Sequence, residues 1–220
     1  MKTVPRVAFV GSVALALLAG FIDAIGFVLS GGLFVSFMSG NSTQSGVEFI
    51  TGAALKGVVA LTLVGGFLSG VVLAQASKRL LPQLGLPLRV TGLGVALLVA
   101  AGPVLAWPAP GFALAGVASV MGAMNTLFAD EGRARLAITY ATGTLVSLGL
   151  AIAAKATKQA AASWKRPLAM WAAITLGAGI GATAVSLLGP GSLLIAALVL
   201  ILIGGTAHTY SRWKPRPSAS

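Results

Sequence analysis

Six long apolar runs, each near the length a helix needs to cross a bilayer, leave this 220-residue chain little freedom. About 20 mostly apolar residues in a helix cover a hydrocarbon core of about 30 Å. The runs lie at roughly 7–29, 54–76, 88–107, 110–128, 168–188 and 191–209. Backbone groups in hydrocarbon must bond one another, so helices are the natural solution for such runs. Composition agrees: 57% of residues are apolar and 9% charged, where about 25% charged is usual for soluble domains. A soluble enzyme would have only 15 basic and 4 acidic side chains to cover its surface. Intrinsic disorder is excluded because it requires low hydrophobicity. The chain has no cysteine, so disulfides and thiolate metal sites are excluded.

The net charge of +11 would suit a nucleic-acid binder if it formed a basic face or stripe. Instead the basic residues sit in short clusters between apolar runs, the pattern of the positive-inside bias. The lipid bilayer, not nucleic acid, is the expected partner. Lys2 and Arg6 precede the first run, and Ala14-Leu15-Ala16 resembles a signal-peptide cleavage site. The apolar stretch continues to Leu29, however, longer than a usual signal-peptide core, so a retained first helix is expected. Pro82 and Pro87, Trp107-Pro108-Ala109-Pro110 and Gly189-Pro190-Gly191 mark turns. No linker divides the chain, which reads as one transmembrane domain over 1–220.

Two further segments, 33–52 and 137–154, are apolar with a small polar cluster and a central glycine. They align at an offset of 103: Ser36 with Thr139, Phe37 with Tyr140, Ser39 with Thr142, Gly40 with Gly143, Asn41 with Thr144 and Gly46 with Gly149. Gly66-x-x-x-Gly70 matches Gly177-x-x-x-Gly181 at an offset of 111. Span, polar segment, glycine-spaced span and span thus recur in the halves 7–107 and 110–209. Weak internal symmetry of this kind recurs in secondary transporters.

Charge selects among topologies. If both polar segments enter and return on one side, six spans remain, and 14 of the 15 basic residues lie on the side of the N-terminus, Lys56 excepted. If both cross, the split is 10 to 5; if only the second crosses, it is 7 to 7 with Lys56 uncounted. Basic residues near span ends set orientation, which favours six spans with two re-entrant segments and both termini in the cytoplasm. The second half is then inverted relative to the first.

Irregular backbone at membrane depth is tolerated where it is buried in protein or lines a wet cavity. A glycine break frees N–H and C=O groups that hydroxyl and amide side chains can bond or hand to a solute, and half-helix ends carry partial charge. On these grounds Ser39, Gly40, Asn41, Ser42 and Thr43, with Tyr140, Thr142, Gly143 and Thr144, form a candidate site for a small polar solute or ion. For Gly66, Gly70, Gly177 and Gly181 helix contact is the expected role. Asp23 lies inside the first span, where an acid faces a cavity or a partner. It could carry a coupling proton, bind a cation or hydrogen-bond a broken helix, with Lys56 as a partner within reach. Asn125, near the end of the fourth run, could face the same cavity or cap a helix. Glu48 is expected at the outer interface. No metal-ligand spacing, P-loop or nucleophilic triad is present, so neither a cofactor nor an enzyme is expected.

Three stretches carry a family resemblance: Gly20-Phe21-Ile22-Asp23-Ala24-Ile25-Gly26-Phe27; Gly32 to Thr43, continuing to Gly46; and Met124-Asn125 followed by Thr139-Tyr140-Ala141-Thr142-Gly143-Thr144-Leu145-Val146. In these the chain resembles the YoaK-like family of bacterial multi-pass membrane proteins, a family of unknown function. That family usually has Thr where this chain has Ser39. The resemblance implies a bacterial inner-membrane location and supplies no substrate.

The expectation is an all-α integral membrane protein with six transmembrane helices and two re-entrant segments in a 3+3 inverted repeat. Its leading function is secondary transport of a small polar solute or ion, with proton coupling through Asp23. A passive channel and a non-transporting scaffold or sensor are the alternatives, and a homodimer is compatible with so small a chain.

Overall fold

The structure, a computed structural model, describes residues 6–107, 110–127, 129–130, 133–134, 141–157 and 163–213. Among them stand eight α-helices: α1 (Arg6–Ser30), α2 (Met38–Thr51), α3 (Ala54–Leu80), α4 (Leu86–Ala106), α5 (Leu114–Asn125), α6 (Ala141–Ala156), α7 (Lys165–Leu188) and α8 (Ser192–Trp213). A two-residue antiparallel pair, β1 (Ala129–Asp130) and β2 (Arg133–Ala134), follows α5. The chain is therefore a helical protein, as its runs require.

Among the described residues four helical stretches are long and apolar enough to cross a membrane: Phe9–Ser30, Ala54–Leu80, Leu86–Ala106 and Lys165–Ala207. The last has 43 residues, about 64 Å if it were one straight helix, twice the core thickness. It is broken by the 3-10 turn η1 (Gly189–Gly191), where Gly189 has a φ of +56° and Pro190 cannot donate to the ladder. The run expected at 110–128 yields a helix of only 12 residues, because residues 110–113 form turns before α5 begins.

Glycines set how these helices pack. On α7, a Cβ at Gly177 or Gly181 would fall on the backbone of Leu17 or Phe21 of α1, and one at Gly20 on that of Ile174. On α3, a Cβ at Gly66 or Gly70 would fall on Ala115 or Ser119 of α5, and one at Gly122 on Phe67. Both contacts advance together along the two chains, so α1/α7 and α3/α5 are parallel pairs. Helices in lipid gain little from hydrophobic burial against each other, so backbone approach through small residues takes its place. Gly94 against Ala197 and Ile201, and Gly204 against Pro87 and Thr91, run the opposite way and make α4/α8 antiparallel. Leu29 and Ser30 lie beside Leu55, Val59 and Trp107, while the ends of α3 and α5 meet the start of α4. Thus α1, α4 and α7 run one way through the bundle and α3, α5 and α8 the other. α1 and α5 are the largest contributors to the buried core, with Ile22, Ile25, Val117, Met121 and Met124 among their residues.

The packing glycines are separable from their neighbours. Gly65 has nothing within 4 Å of its Cβ position. Gly70→Ala or Gly177→Ala should therefore destabilise the protein by about 1–3 kcal/mol through backbone overlap. Gly65→Ala should be neutral or stabilising by up to about 1 kcal/mol. Thermal unfolding of the three purified variants in one detergent checks the contrast.

Candidate functional site

The site begins where α1 stops. Gly31 and Gly32 have φ of +69° and +116°, conformations that side chains resist. Gly32 N–H closes the helix on Phe27 O at 2.8 Å, a Schellman-type end. The Ser30 hydroxyl both donates to Leu33 O (2.9 Å) and accepts from Leu33 N–H (2.8 Å), which fixes the reversal. Residues 33–37 then run back along α1 without helical or ladder bonds of their own.

Beyond Leu33, which Ser30 holds, two side chains bond the backbone of residues 34–36. Asp23 Oδ1 accepts from Val35 N–H at 2.8 Å and from Ser36 N–H at 2.9 Å. Asn41, fully buried, accepts Phe34 N–H on its Oδ1 at 2.9 Å and donates from Nδ2 to Phe34 O at 2.6 Å. Gly26 leaves the space that the Val35 side chain fills, since a Cβ there would lie against Val35 Cγ1. Phe34 is wedged between Phe27 (4.9 Å, tilted) and Phe37 (5.3 Å, edge-on). Asp23 sits seven residues before the end of α1, so the segment descends about 10 Å beside it. From there α2 returns to the end where α3 starts, because Lys56 and Val59 of α3 lie beside Ser30.

Where the sequence placed the break at the central glycines, the structure places it earlier. Gly40 and Gly143 are inside α2 and α6, and the irregular backbone is at 31–37. The reason is conformational: the positive φ values fall on Gly31 and Gly32, whereas Gly40 makes room for the Phe37 ring. Hydroxyls of the polar clusters bond their own helices: Ser42 to Met38 O, Thr43 to Ser39 O and Thr144 to Ala141 O. Ser39, Ser42 and Thr43 nonetheless lie on an exposed face of α2, which no other helix among the described residues covers. Thr142 is exposed and Gly143 and Thr144 are half-buried at the start of α6. Helix α2 packs on α3 and α6 on α7, and the two share no substantial interface. Asn125, the last residue of α5, donates to Met121 O at 2.9 Å. Tyr140 lies outside the described residues.

Lys56 does not partner Asp23. It pairs with Glu48 (3.1 Å), which also accepts from Gln44 Nε2 at 2.5 Å. The Gln44 hydrogen bond first, and Lys56 second, hold the Glu48 carboxyl below its ordinary value of 4.5. This lock ties α2 to α3 at the mouth of the hairpin. Among the described residues no group of three or more His, Cys, Asp or Glu is placed to hold a metal ion.

One relation escaped the sequence reading. Asn125 stands 102 residues after Asp23, as Gly122 stands 102 after Gly20, and both glycines receive the backbone of a parallel partner helix. The paired glycines are the signal that would have shown it. The same register places the start of α6 103 residues after that of α2, and α7 111 after α3.

The family model for proteins of unknown function DUF1275 matches residues 11–206. The chain belongs to this family. It is also 33% identical, over 92% of its length and 88% of the relative's, to a UPF0700 transmembrane protein of Rhizobium meliloti (strain 1021). No solved structure matches it. The resemblance seen in the three motifs is thereby supported, and a membrane location follows from the transmembrane relative and the apolar helices together.

Two outcomes follow from this geometry. Asp23→Ala leaves two covered N–H groups without their acceptor and should cost at least about 1–3 kcal/mol. Asp23→Asn keeps an acceptor oxygen and should cost less; wild-type melting temperatures for both would remove the pinning role. Because the Glu48 carboxyl is held low, its stabilisation is complete above its unfolded value and is lost as pH falls through the lower folded value. Acidification from pH 7 to below 4.5 should therefore lower the melting temperature of wild type more than that of Glu48→Gln.

Proposed function

We propose that this DUF1275 member is a secondary transporter of a small polar solute or ion in the bacterial inner membrane. The observation that carries the reading is the uncovered polar face of α2, Ser39, Ser42 and Thr43, on a hairpin whose irregular backbone lies beside an intramembrane acid. Ser42 and Thr43 already donate to Met38 O and Ser39 O, and the acceptor lone pairs left on such hydroxyls are better matched by water, a solute or protein than by lipid. In this reading α1, α3, α4, α5, α7 and α8 are six spans, 31–52 is a re-entrant hairpin, and 137–154, of which residues 137–140 lie outside the described residues, is the second re-entrant segment. Halves α1–α4 and α5–α8 form an inverted repeat, both termini are cytoplasmic, and the chain is not an enzyme. The swap of halves exchanges α1/α7 with α5/α3 and maps α4/α8 onto itself, which supports the symmetry. Proton coupling acts through Asp23: an ionised carboxylate accepts both N–H bonds of the hairpin, and a proton competes for its oxygens.

Two measurements test this. The cysteine-free chain accepts single labels without background; Ser30→Cys and Ala53→Cys should react from the same side of the membrane. Labelling from opposite sides removes the hairpin. Purified protein in liposomes holding a pH-sensitive dye should move at least one of a panel of small polar solutes. Trans-stimulated exchange would mark a carrier rather than a pore. Ser42→Leu should slow that flux several-fold, and Asp23→Asn should make it independent of pH. No flux above empty liposomes for any solute sinks the transport reading.

A further inference from the structure

From residue 7 to residue 55 the chain has no Lys, Arg or His, so α1 beyond Arg6 and the whole hairpin are without a cation. Helices α7 and α8, which pack on α1, and α3, which packs on α2, carry such residues only near their ends, and α5 carries none. The N–H donors of the hairpin are turned inward. Asn41 Nδ2 donates to Phe34 O and the Met38 sulfur, and Gln44 Nε2 to Glu48. The amides of Phe34, Val35 and Ser36 go to Asn41 and Asp23. The hydroxyls of Ser42, Thr43, Ser45 and Thr51 donate to carbonyls of their own helix. A hydroxyl that donates keeps its lone pairs, so Ser42, Thr43 and Thr51, exposed on α2, offer oxygens rather than protons. Ser39 is the one exposed hydroxyl of α2 whose proton is uncommitted among the described residues.

Asp23 supplies negative charge when ionised. Its partners among the described residues are the amides of Val35 and Ser36 and the Ser36 hydroxyl, none of them cationic, and it is partly exposed. Phe27 and Phe37, both exposed, flank Phe34. An anion would find one hydroxyl proton here and a carboxylate opposing it. A cation with N–H groups finds oxygens, a carboxylate and ring faces. We infer, on the transporter reading, that the solute is a small alkylammonium ion, its N–H groups served along its path by the hydroxyl oxygens of α2 and the Asp23 carboxylate, its alkyl part by Phe27 and Phe37. A bare metal ion would ask for about six converging oxygens and would leave the rings without a role.

Isothermal titration calorimetry of the purified protein in detergent at neutral pH tests the class, with n-butylammonium, tetramethylammonium, butyrate and glycerol as probes. Butylammonium should bind, and butyrate and glycerol should not. Tetramethylammonium, which has the charge but no N–H, should bind at least about fivefold more weakly. Asp23→Asn should weaken butylammonium binding about tenfold or more. Ser42→Ala/Thr43→Val, which leaves every bond of the descending segment in place, should weaken it several-fold and decides the matter if Asp23→Asn does not fold. Four results overturn the inference: no binding of butylammonium, butyrate or glycerol bound as tightly, tetramethylammonium bound equally, or undiminished binding by folded Ser42→Ala/Thr43→Val. The same probes in liposomes separate two failures. Butylammonium bound but not moved removes transport and leaves the ligand class; butyrate or glycerol moved without butylammonium binding removes the class and leaves transport.

Discussion

The two hydrogen bonds from Val35 and Ser36 to the Asp23 carboxylate are the constraint on which the rest depends. A backbone that leaves the helix inside an apolar bundle must find other partners, because water is not there to supply them. Asp23 and Asn41 together bond three successive residues of the descending segment, at Phe34, Val35 and Ser36. A carboxylate is well suited to the task, since one oxygen can accept two adjacent N–H groups. It also explains why an acid is retained in the first span, where its insertion costs about 2.5–3.5 kcal/mol. Position and cost are linked: the acid is worth keeping at depth because the chain turns back at that depth.

The glycine contacts serve the same end by another route. Gly177 and Gly181 bring α7 onto the backbone of α1 at Leu17 and Phe21, next to the stretch that holds the returning segment. Gly26, about one turn beyond Asp23, admits the Val35 side chain. The stretch from Gly20 to Gly26 therefore carries three separate contacts within seven residues: one to α7, one to the descending backbone and one to its side chain. Such density explains why this stretch is so compositionally distinct from the aliphatic run before it.

Much of this was legible beforehand, and the failures have physical causes. Apolar run lengths and proline-glycine turns located α3, α4, α7 and α8, because hydropathy and backbone chemistry are local. The glycine pairs at 66/70 and 177/181 read correctly as helix contacts for the same reason. The break was misplaced because Gly40 looks like any break glycine, and only the backbone reveals that positive φ falls on Gly31 and Gly32. Lys56, which the sequence offered as a partner for Asp23, pairs instead with Glu48, eight residues away across a hairpin turn, a proximity that no local pattern marks. The equivalence of Asp23 and Asn125 was hidden by a change of residue type and by an offset of 102 rather than 103. Side chains that bond backbone across a reversal leave no periodic trace.

The two halves share a packing plan and differ in chemistry, and the difference carries a direction. At the offset of 103, the exposed Ser39, Ser42, Thr43 and Gly46 of α2 correspond to Thr142, Leu145, Val146 and Gly149 of α6, which are exposed in turn. At two of these positions α2 presents the hydroxyls of Ser42 and Thr43 where α6 presents Leu145 and Val146, while Ser39 and Thr142 match. Asp23 corresponds to Asn125, so the charge belongs to the first half alone. A surface of hydroxyls beside an acid and a surface of aliphatics beside an amide cannot serve the same neighbour at equal cost. The first fits a wet or polar neighbour, the second an apolar one. Matching packing in the two halves provides a common frame, and the placement of one carboxylate and two hydroxyls makes its two faces unequal.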